Sequence, residues 1–236
     1  MQTKGRLYLI PVTLGETSPE TVIPGGSLEI LHRLNEFVAE DIHSARRHLH
    51  RARYSGDLNT VTFHLYNEHS QPADIVPVIN ALSSGHDIGL LSEAGLPCVA
   101  DPGSAIVQEA HRKGLQVIPL TGPSSVMLAL MASGFNGQNF TFHGYLPVRS
   151  QERIRQIRLL EKMILRNDQT QIFMEAPYRN LQLFEDILRT CSDEIYLCVA
   201  CDLTLDTEWI RSQPVREWKK DHPAIHKRPA VFLLYK

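Results

Sequence analysis

Three turns in this chain combine glycine, proline and hydroxyl side chains: Pro11-Val12-Thr13-Leu14-Gly15, Ser92-Glu93-Ala94-Gly95-Leu96-Pro97 and Thr121-Gly122-Pro123-Ser124-Ser125. Glycine lets a ligand approach the backbone closely and proline fixes the turn, although both residues also make turns that bind nothing. Gly122-Pro123-Ser124-Ser125 opens an apolar run. A helix starting there would offer hydroxyl caps and free N–H groups to a carboxylate or phosphate, and a capped helix without a ligand would have the same sequence. Two acidic sites stand beside these turns, Ala39-Glu40-Asp41 and Ala100-Asp101-Pro102-Gly103. Carboxylates at such places can orient a substrate hydroxyl or take its proton, and Asp101 can equally cap a helix. Directly after Asp41, the stretch from His43 to Arg53 holds four Arg and three His without an acid. On a helix, Arg46, His50 and Arg53 share one face and Arg47 and Arg51 its neighbour, which makes either a solvated surface or a phosphate-contact surface.

Absent motifs narrow the chemistry. There is no Gly-x-Gly-x-x-Gly after the first predicted strand and no Gly-x-x-x-x-Gly-Lys-Ser/Thr loop, which argues against a dinucleotide oxidoreductase and an NTPase. A Gly-x-Ser-x-Gly elbow is missing as well, and with it the usual signature of a serine hydrolase. The four cysteines read as reduced thiols; Cys198 and Cys201 fall within the apolar run Ile195 to Cys201, as core residues do, and no second ligand pair points to a metal. With 43% hydrophobic and 21% charged residues the chain has the composition of a folded protein, and its net charge of −2 means that a polyanionic partner must meet a local basic patch. No window reaches the roughly 18 apolar residues of a membrane span, and the apolar run ending at Pro11 is short for a signal peptide. The expectation is a cytoplasmic protein without a membrane partner.

The elements that must position these residues follow from hydrophobic periodicity. Arg6 to Val12, Phe37 to Ala39, Asp87 to Leu91 and Leu115 to Leu120 read as strands, alternating with helices over Leu28 to Glu36, Ser44 to Tyr54, Ala73 to Ser83 and Ala105 to Lys113. Such alternation predicts a mainly parallel α/β sheet, with ligands outside the carboxyl ends of its strands, where all three turns then lie. The second half predicts a mixed sheet: strands at Phe140 to Tyr145, Gln171 to Met174, Ile195 to Cys201 and Ala230 to Tyr235, and helices at Val126 to Ala132, Gln151 to Leu165 and Asn180 to Arg189. The break in periodicity near Leu120 divides the chain into two α/β domains, 1–119 and 120–236.

Several of these segments, taken in order and spacing, resemble the tetrapyrrole (corrin/porphyrin) methylase superfamily of S-adenosylmethionine-dependent methyltransferases, particularly its ribosomal RNA small-subunit methyltransferase I branch. They are Ala39-Glu40-Asp41 with the basic stretch behind it, Ser92 to Pro97 with Asp101-Pro102-Gly103, Pro119 to Ser125, Ser133-Gly134-Phe135 and Phe142-His143-Gly144-Tyr145-Leu146-Pro147. Phe173-Met174-Glu175-Ala176-Pro177-Tyr178-Arg179 and Asp202-Leu203-Thr204 continue the match. The resemblance implies a homodimer and two α/β domains with the methyl donor in a cleft between them; a sulfonium already carries a good leaving group, so the transfer calls for positioning rather than a metal. The resemblance places the donor against Leu14, Gly95, Leu96 and Val99, against Ser125 and Val126, and against Met174, Ala200 and Pro229. It implies ribosomal RNA as acceptor, methylated at a ribose 2′-hydroxyl. For such an acceptor Glu40 or Asp41 is the nearest candidate base, and the concentrated charge of the acid-free stretch makes Arg46, Arg47 and Arg51 the candidates to hold the RNA. The first turn lacks the Gly-Asn-Leu usual in that branch, and Leu205 stands where the branch usually has Lys. Methylation of a tetrapyrrole or other small molecule, and donor binding without catalysis, are the alternatives.

Overall fold

Alternate residues of the first strands carry apolar side chains to opposite faces, as the period of two in a strand requires. In the computed structural model, which describes residues 4–236, β1 (Arg6–Ile10) sends Tyr8 and Ile10 into one buried cluster and Leu7 into another. Residues 1–3, at the head of the segment too short for a signal peptide, lie outside the described residues. β2 (Glu36–Ala39) and β4 (Ile88–Leu91) divide in the same way, Phe37, Ala39 and Leu91 on one face, Val38, Ile88 and Leu90 on the other. Both faces therefore need cover. α2 (Gly25–Arg33) and α3 (Ile42–Arg51) supply it on the first face through Leu28, Leu31, Ala45 and Leu49. α4 (Ile75–Ser83) and α5 (Ser104–Arg112) supply it on the second through Val78, Leu82, Ile106 and Ala110. With β3 (Thr62–Leu65) and β5 (Gln116–Pro119) the sheet has five strands in the order β3-β2-β4-β1-β5, every neighbouring pair parallel. A short α1 (Pro19–Val22) lies between β1 and α2.

The second unit begins with α6 (Ser125–Ser133), which packs on a sheet ordered β6-β7-β10-β8-β9. Its strands are β6 (Phe140–Tyr145), β7 (Thr170–Met174), β8 (Tyr196–Cys201), β9 (Trp209–Pro214) and β10 (Ala230–Tyr235). Only β6 and β7 pair parallel; the other three pairings are antiparallel, so this sheet is mixed. α7 (Ser150–Asn167) and α8 (Asn180–Thr190) pack against each other and bury the Arg153–Asp186 ion pair at 2.6 Å. α9 (Val215–Trp218) adds Trp218, whose indole N–H donates to Leu197 O at 2.9 Å. Cys198 and Cys201 are buried within β8, and burial pushes their thiols up to about 12 and about 11.

The boundary between the compact units falls at Ser124/Ser125 rather than after Pro119. Leu120 N donates to Leu9 O at 3.0 Å and Ser27 Oγ to Thr121 O at 2.9 Å, which binds the chain after β5 into the first unit. The helix expected over Leu28 to Glu36 starts at Gly25 and stops at Arg33, because Glu36 belongs to β2 and its carboxylate lies between His64 and His86 at 2.7 and 3.0 Å. β3 and β9 have no counterpart in the sequence reading. Both are half-exposed edge strands: β3 (TFHL) alternates but is only four residues long, and β9 (WIRSQP) is polar after its first two residues and lacks the alternation that betrays a strand. Among the described residues no helix is long and apolar enough to cross a membrane.

Candidate functional site

The three Gly/Pro turns follow β1, β4 and β5, and these strands are adjacent in the sheet. Parallel neighbours put their carboxyl ends on one edge, so the turns stand side by side. Val12 and Gly95 form a two-way bridge, N–H to O at 2.8 Å from Val12 and 3.0 Å from Gly95. Gly95 takes φ +76°, and a Cβ there would stand 3.2 Å from Leu14 Cδ2 and 3.6 Å from Pro123 O. All three turns thus touch around one glycine. Ser92 Oγ braces the second turn through the carbonyls of Ala94 and Gly95, both at 3.3 Å. Beyond Leu96, half-buried, the loop carries two non-glycine residues with left-handed backbone, Cys98 (φ 68°) and Ala100 (φ 60°), and leaves Val99 exposed between them. Such conformations cost about 1 kcal/mol or more each and collect where a loop is shaped for a ligand.

On the other side of β4 from β1, Glu40 follows β2 at the same sheet edge. Burial, then hydrogen bonding and repulsion from Asp101, then the charges of Glu93 and Glu68, push its carboxyl up to about 8. Asp101 Oδ1 accepts from Gly103 N at 2.9 Å, and the residue capping α5 is Gly103, not Asp101. Asp101 Oδ2 is buried and receives no hydrogen bond from any backbone or side-chain N–H, which leaves the Glu40 carboxyl as the group that can bond to this residue. Asp41 differs from its neighbour: it caps α3, accepting from Ser44 N at 2.7 Å, and that bond holds its carboxylate below the usual range. Of two consecutive acids, one is spent on a helix end and the other is left protonated near neutrality.

The basic stretch forms α3 with its apolar side inward. His48 is buried among those inward residues with both ring nitrogens unpartnered, and burial lowers its pKa to about 4, so it is neutral. The arginines face outward. Arg46 lies over the Phe63 ring at 5.3 Å, Arg47 Nη2 donates to Ser44 Oγ at 2.9 Å, and Arg51 Nη1 reaches Gly15 O at 3.4 Å. Arg51 thereby joins the basic helix to the turn after β1.

In the second unit the predicted residues gather at one end of its sheet. Met174 and Ala200 are both partners of Val231, on either side of β10. Pro229, just before that strand, accepts from Asp202 N at 3.0 Å. Ser125 and Val126 open α6, half-buried and buried. Three buried polar atoms here lack partners: Glu175 Oε2, Asn180 Oδ1 and Thr204 Oγ1. Asn180 Nδ2 spans the carbonyls of Ile225 and Arg228 at 3.1 and 2.6 Å, which brings the start of α8 to the approach of β10. Glu175 and Thr204 fall within the family-like motifs of the sequence but carry no role there, and Asn180 gave no signal beyond its place after Arg179. Among the described residues no group of three His, Cys, Asp or Glu side chains is placed to hold a metal ion.

The family model described as Tetrapyrrole (Corrin/Porphyrin) Methylases matches residues 22–218 of this chain. A ribosomal RNA small subunit methyltransferase I of Vibrio cholerae is 32% identical over 232 residues, covering 97% of this chain and 76% of that protein. The protein of the same name from Escherichia coli O157:H7 is 29% identical, covering 98% and 78%. Among solved structures, diphthine synthase superposes with a TM-score of 0.69 at 16% identity, covering 98% of this chain and 89% of that one. A uroporphyrin-III C-methyltransferase from Thermus thermophilus, complexed with S-adenosyl homocysteine, has a TM-score of 0.60 at 16% identity and 98% coverage of both chains.

Proposed function

The chain belongs to the tetrapyrrole (corrin/porphyrin) methylase family, and from that premise we propose that it transfers a methyl group from S-adenosylmethionine to a ribose 2′-hydroxyl of ribosomal RNA. The observation that carries this reading is the meeting of three loops at Gly95, with the basic α3 joined to the first of them through Arg51. In the first unit Leu14, Gly95, Leu96 and Val99 hold the donor; in the second, Ser125, Val126, Met174, Ala200 and Pro229 do so. The residues present fit such a ligand. A nucleoside with an amino-acid tail carries amine and hydroxyl donors, and two buried oxygens lack a partner: Asn180 Oδ1, whose amide is bonded to Arg228 O next to Pro229, and Thr204 Oγ1, two residues past Asp202, whose N–H is bonded to Pro229 O. When bound, the donor supplies a methyl carbon on a sulfonium with a good leaving group, so the protein's task is alignment more than activation.

Glu40 is the residue suited to take the hydroxyl proton, since a carboxyl raised to about 8 is a far better base, once ionised, than an ordinary one. Asp41 acts through the helix: by capping α3 it sets where Arg46, Arg47 and Arg51 stand to meet phosphates. The relatives named for ribosomal RNA methylation support RNA as acceptor. A cytoplasmic homodimer is the further part of the proposal and rests on the family resemblance alone. Transfer of labelled methyl groups is the test, with stripped small ribosomal subunits, total RNA and a tetrapyrrole offered in parallel in the presence of a chelator. Label in ribosomal RNA is expected. Label in the tetrapyrrole alone reassigns the acceptor, and label nowhere leaves only donor binding.

A further inference from the structure

Neither the donor residues nor the basic helix account for two exposed tyrosines in the second unit. Tyr145, 59% exposed, closes β6, and Tyr178, 62% exposed, sits in the 3₁₀ turn Pro177–Arg179 that follows β7. Tyr145 is turned outward by a bulge. Pairing of β6 with β7 runs to Phe142–Ile172 and resumes at Tyr145–Met174, so His143 and Gly144 oppose Phe173 alone, and Gly144 takes φ +65° with open space around it. Its conformation, not crowding, calls for glycine.

The turn after Met174 is built around a buried acid. Glu175, 3% exposed, accepts on Oε1 from Ala176 N at 2.7 Å and from Arg179 Nε and Nη2 at 2.9 and 2.6 Å. That fork fixes the guanidinium plane. Arg179 Nη1 donates to Tyr178 Oη at 2.7 Å, and the guanidinium carbon lies 5.0 Å from the centre of the Tyr178 ring. The bond to Glu175, with the neighbouring charges of Tyr178 and Tyr145, keeps Arg179 above the usual arginine range despite partial burial. A rigid cation and two phenol rings in water therefore share one end of the β6–β7 pair.

We propose that Tyr145, Tyr178 and Arg179 form a stacking platform for an unpaired base of single-stranded RNA. Every base has a π-face, and aromatic rings and arginine planes are the surfaces on which splayed RNA bases stack. A site reading phosphate alone would need no rings, and one burying an apolar peptide would not hold a guanidinium at its centre. Because the Glu175 fork already orders Arg179, little side-chain freedom is lost on binding. Tyr145 stands opposite Met174, so a base held there lies beside a residue of the proposed donor site. The inference rests on the RNA reading above and adds where the acceptor strand is gripped.

Fluorescence anisotropy with a labelled oligouridylate tests it across a salt series, with calorimetry on S-adenosylhomocysteine as the control. Tyr145→Ala and Tyr178→Ala are each expected to weaken RNA binding by roughly 5- to 150-fold, the weight of one base–aromatic stack. The salt slope should stay that of the parent, because every phosphate the parent neutralises is still neutralised. Tyr145→Trp and Tyr178→Trp should bind as the parent does. If the parent binds the oligonucleotide and both alanine variants match it, the platform is overturned and the RNA reading stands. A loss accompanied by a flatter salt slope, or by equal loss of S-adenosylhomocysteine affinity, also overturns it, as the side chains are then electrostatic or structural. A parent that binds no RNA overturns the platform and the RNA reading together.

Discussion

At Gly95 the backbone has φ +76° and Leu14 and Pro123 close in on the position a Cβ would take, so any side chain meets both conformational strain and a neighbour. Gly95→Arg is expected to abolish S-adenosylhomocysteine binding in calorimetry; an unchanged isotherm would remove this loop from the donor site. Glu40 has two pH-dependent consequences of opposite sign. Its carboxyl is raised to about 8 from 4.5, so the ionised form that takes a proton accumulates as pH rises, and methylation by the parent should climb through about pH 8. Glu40→Gln should remove that limb and slow transfer by about 10²- to 10⁴-fold. Stability runs the other way. Between 4.5 and about 8 the folded state binds the proton and the unfolded state does not, so this group's contribution falls as pH rises across that window. Thermal melts should show the parent losing stability there more steeply than Glu40→Gln. Both acids after β2 were legible as chemistry-bearing residues, but their division of labour was not. Capping is a local bond from Ser44 N to Asp41, whereas the pressure on Glu40 comes from burial in the folded chain and then from Asp101, sixty-one positions along the chain, near only because β2 adjoins β4.

At the scale of the element, α3 shows what a basic stretch becomes when it folds. Of its residues, His48 turns inward and is neutral, while Arg46, Arg47 and Arg51 contact a ring, a hydroxyl and a carbonyl. Among the described residues none of the three makes a salt bridge of the kind Arg53 makes with Glu20 at 3.7 Å. Replacing Arg46, Arg47 and Arg51 together with Ala should weaken RNA binding and flatten its salt dependence by about 0.7 to 0.9 in log–log slope for each phosphate left without its arginine. Affinity for S-adenosylhomocysteine should hold. Equal binding by parent and triple variant at every salt concentration would make α3 a solvated face. The helix itself was readable because Ala45 and Leu49 repeat at helical spacing. The strand beneath Arg46 was not: β3 is an edge strand of four residues, whose Phe63 and Leu65 alternate with Thr62 and His64 over too short a run to stand out, so Arg46's resting place on the Phe63 ring was invisible.

For the molecule as a whole, the dimer proposal makes a plain prediction: light scattering over a concentration series should give twice the 26.7 kDa of the chain, and a persistent 26.7 kDa species would refute it. The two α/β units were accessible to sequence reasoning because buried parallel strands and the amphipathic helices that cover them are local patterns, visible over a few residues. So were the three Gly/Pro turns that follow β1, β4 and β5, since Gly and Pro act on the backbone where they stand. The order of strands was decided only in three dimensions. β1 lies between β4 and β5, and β10 between β7 and β8, through pairings between segments dozens of residues apart. Those pairings bring the three turns together at Gly95, set Asp101 against Glu40, and place Met174 and Ala200 on either side of Val231. A local pattern records which residues face a core; which strands become neighbours depends on how whole faces pack, and no single segment carries that information.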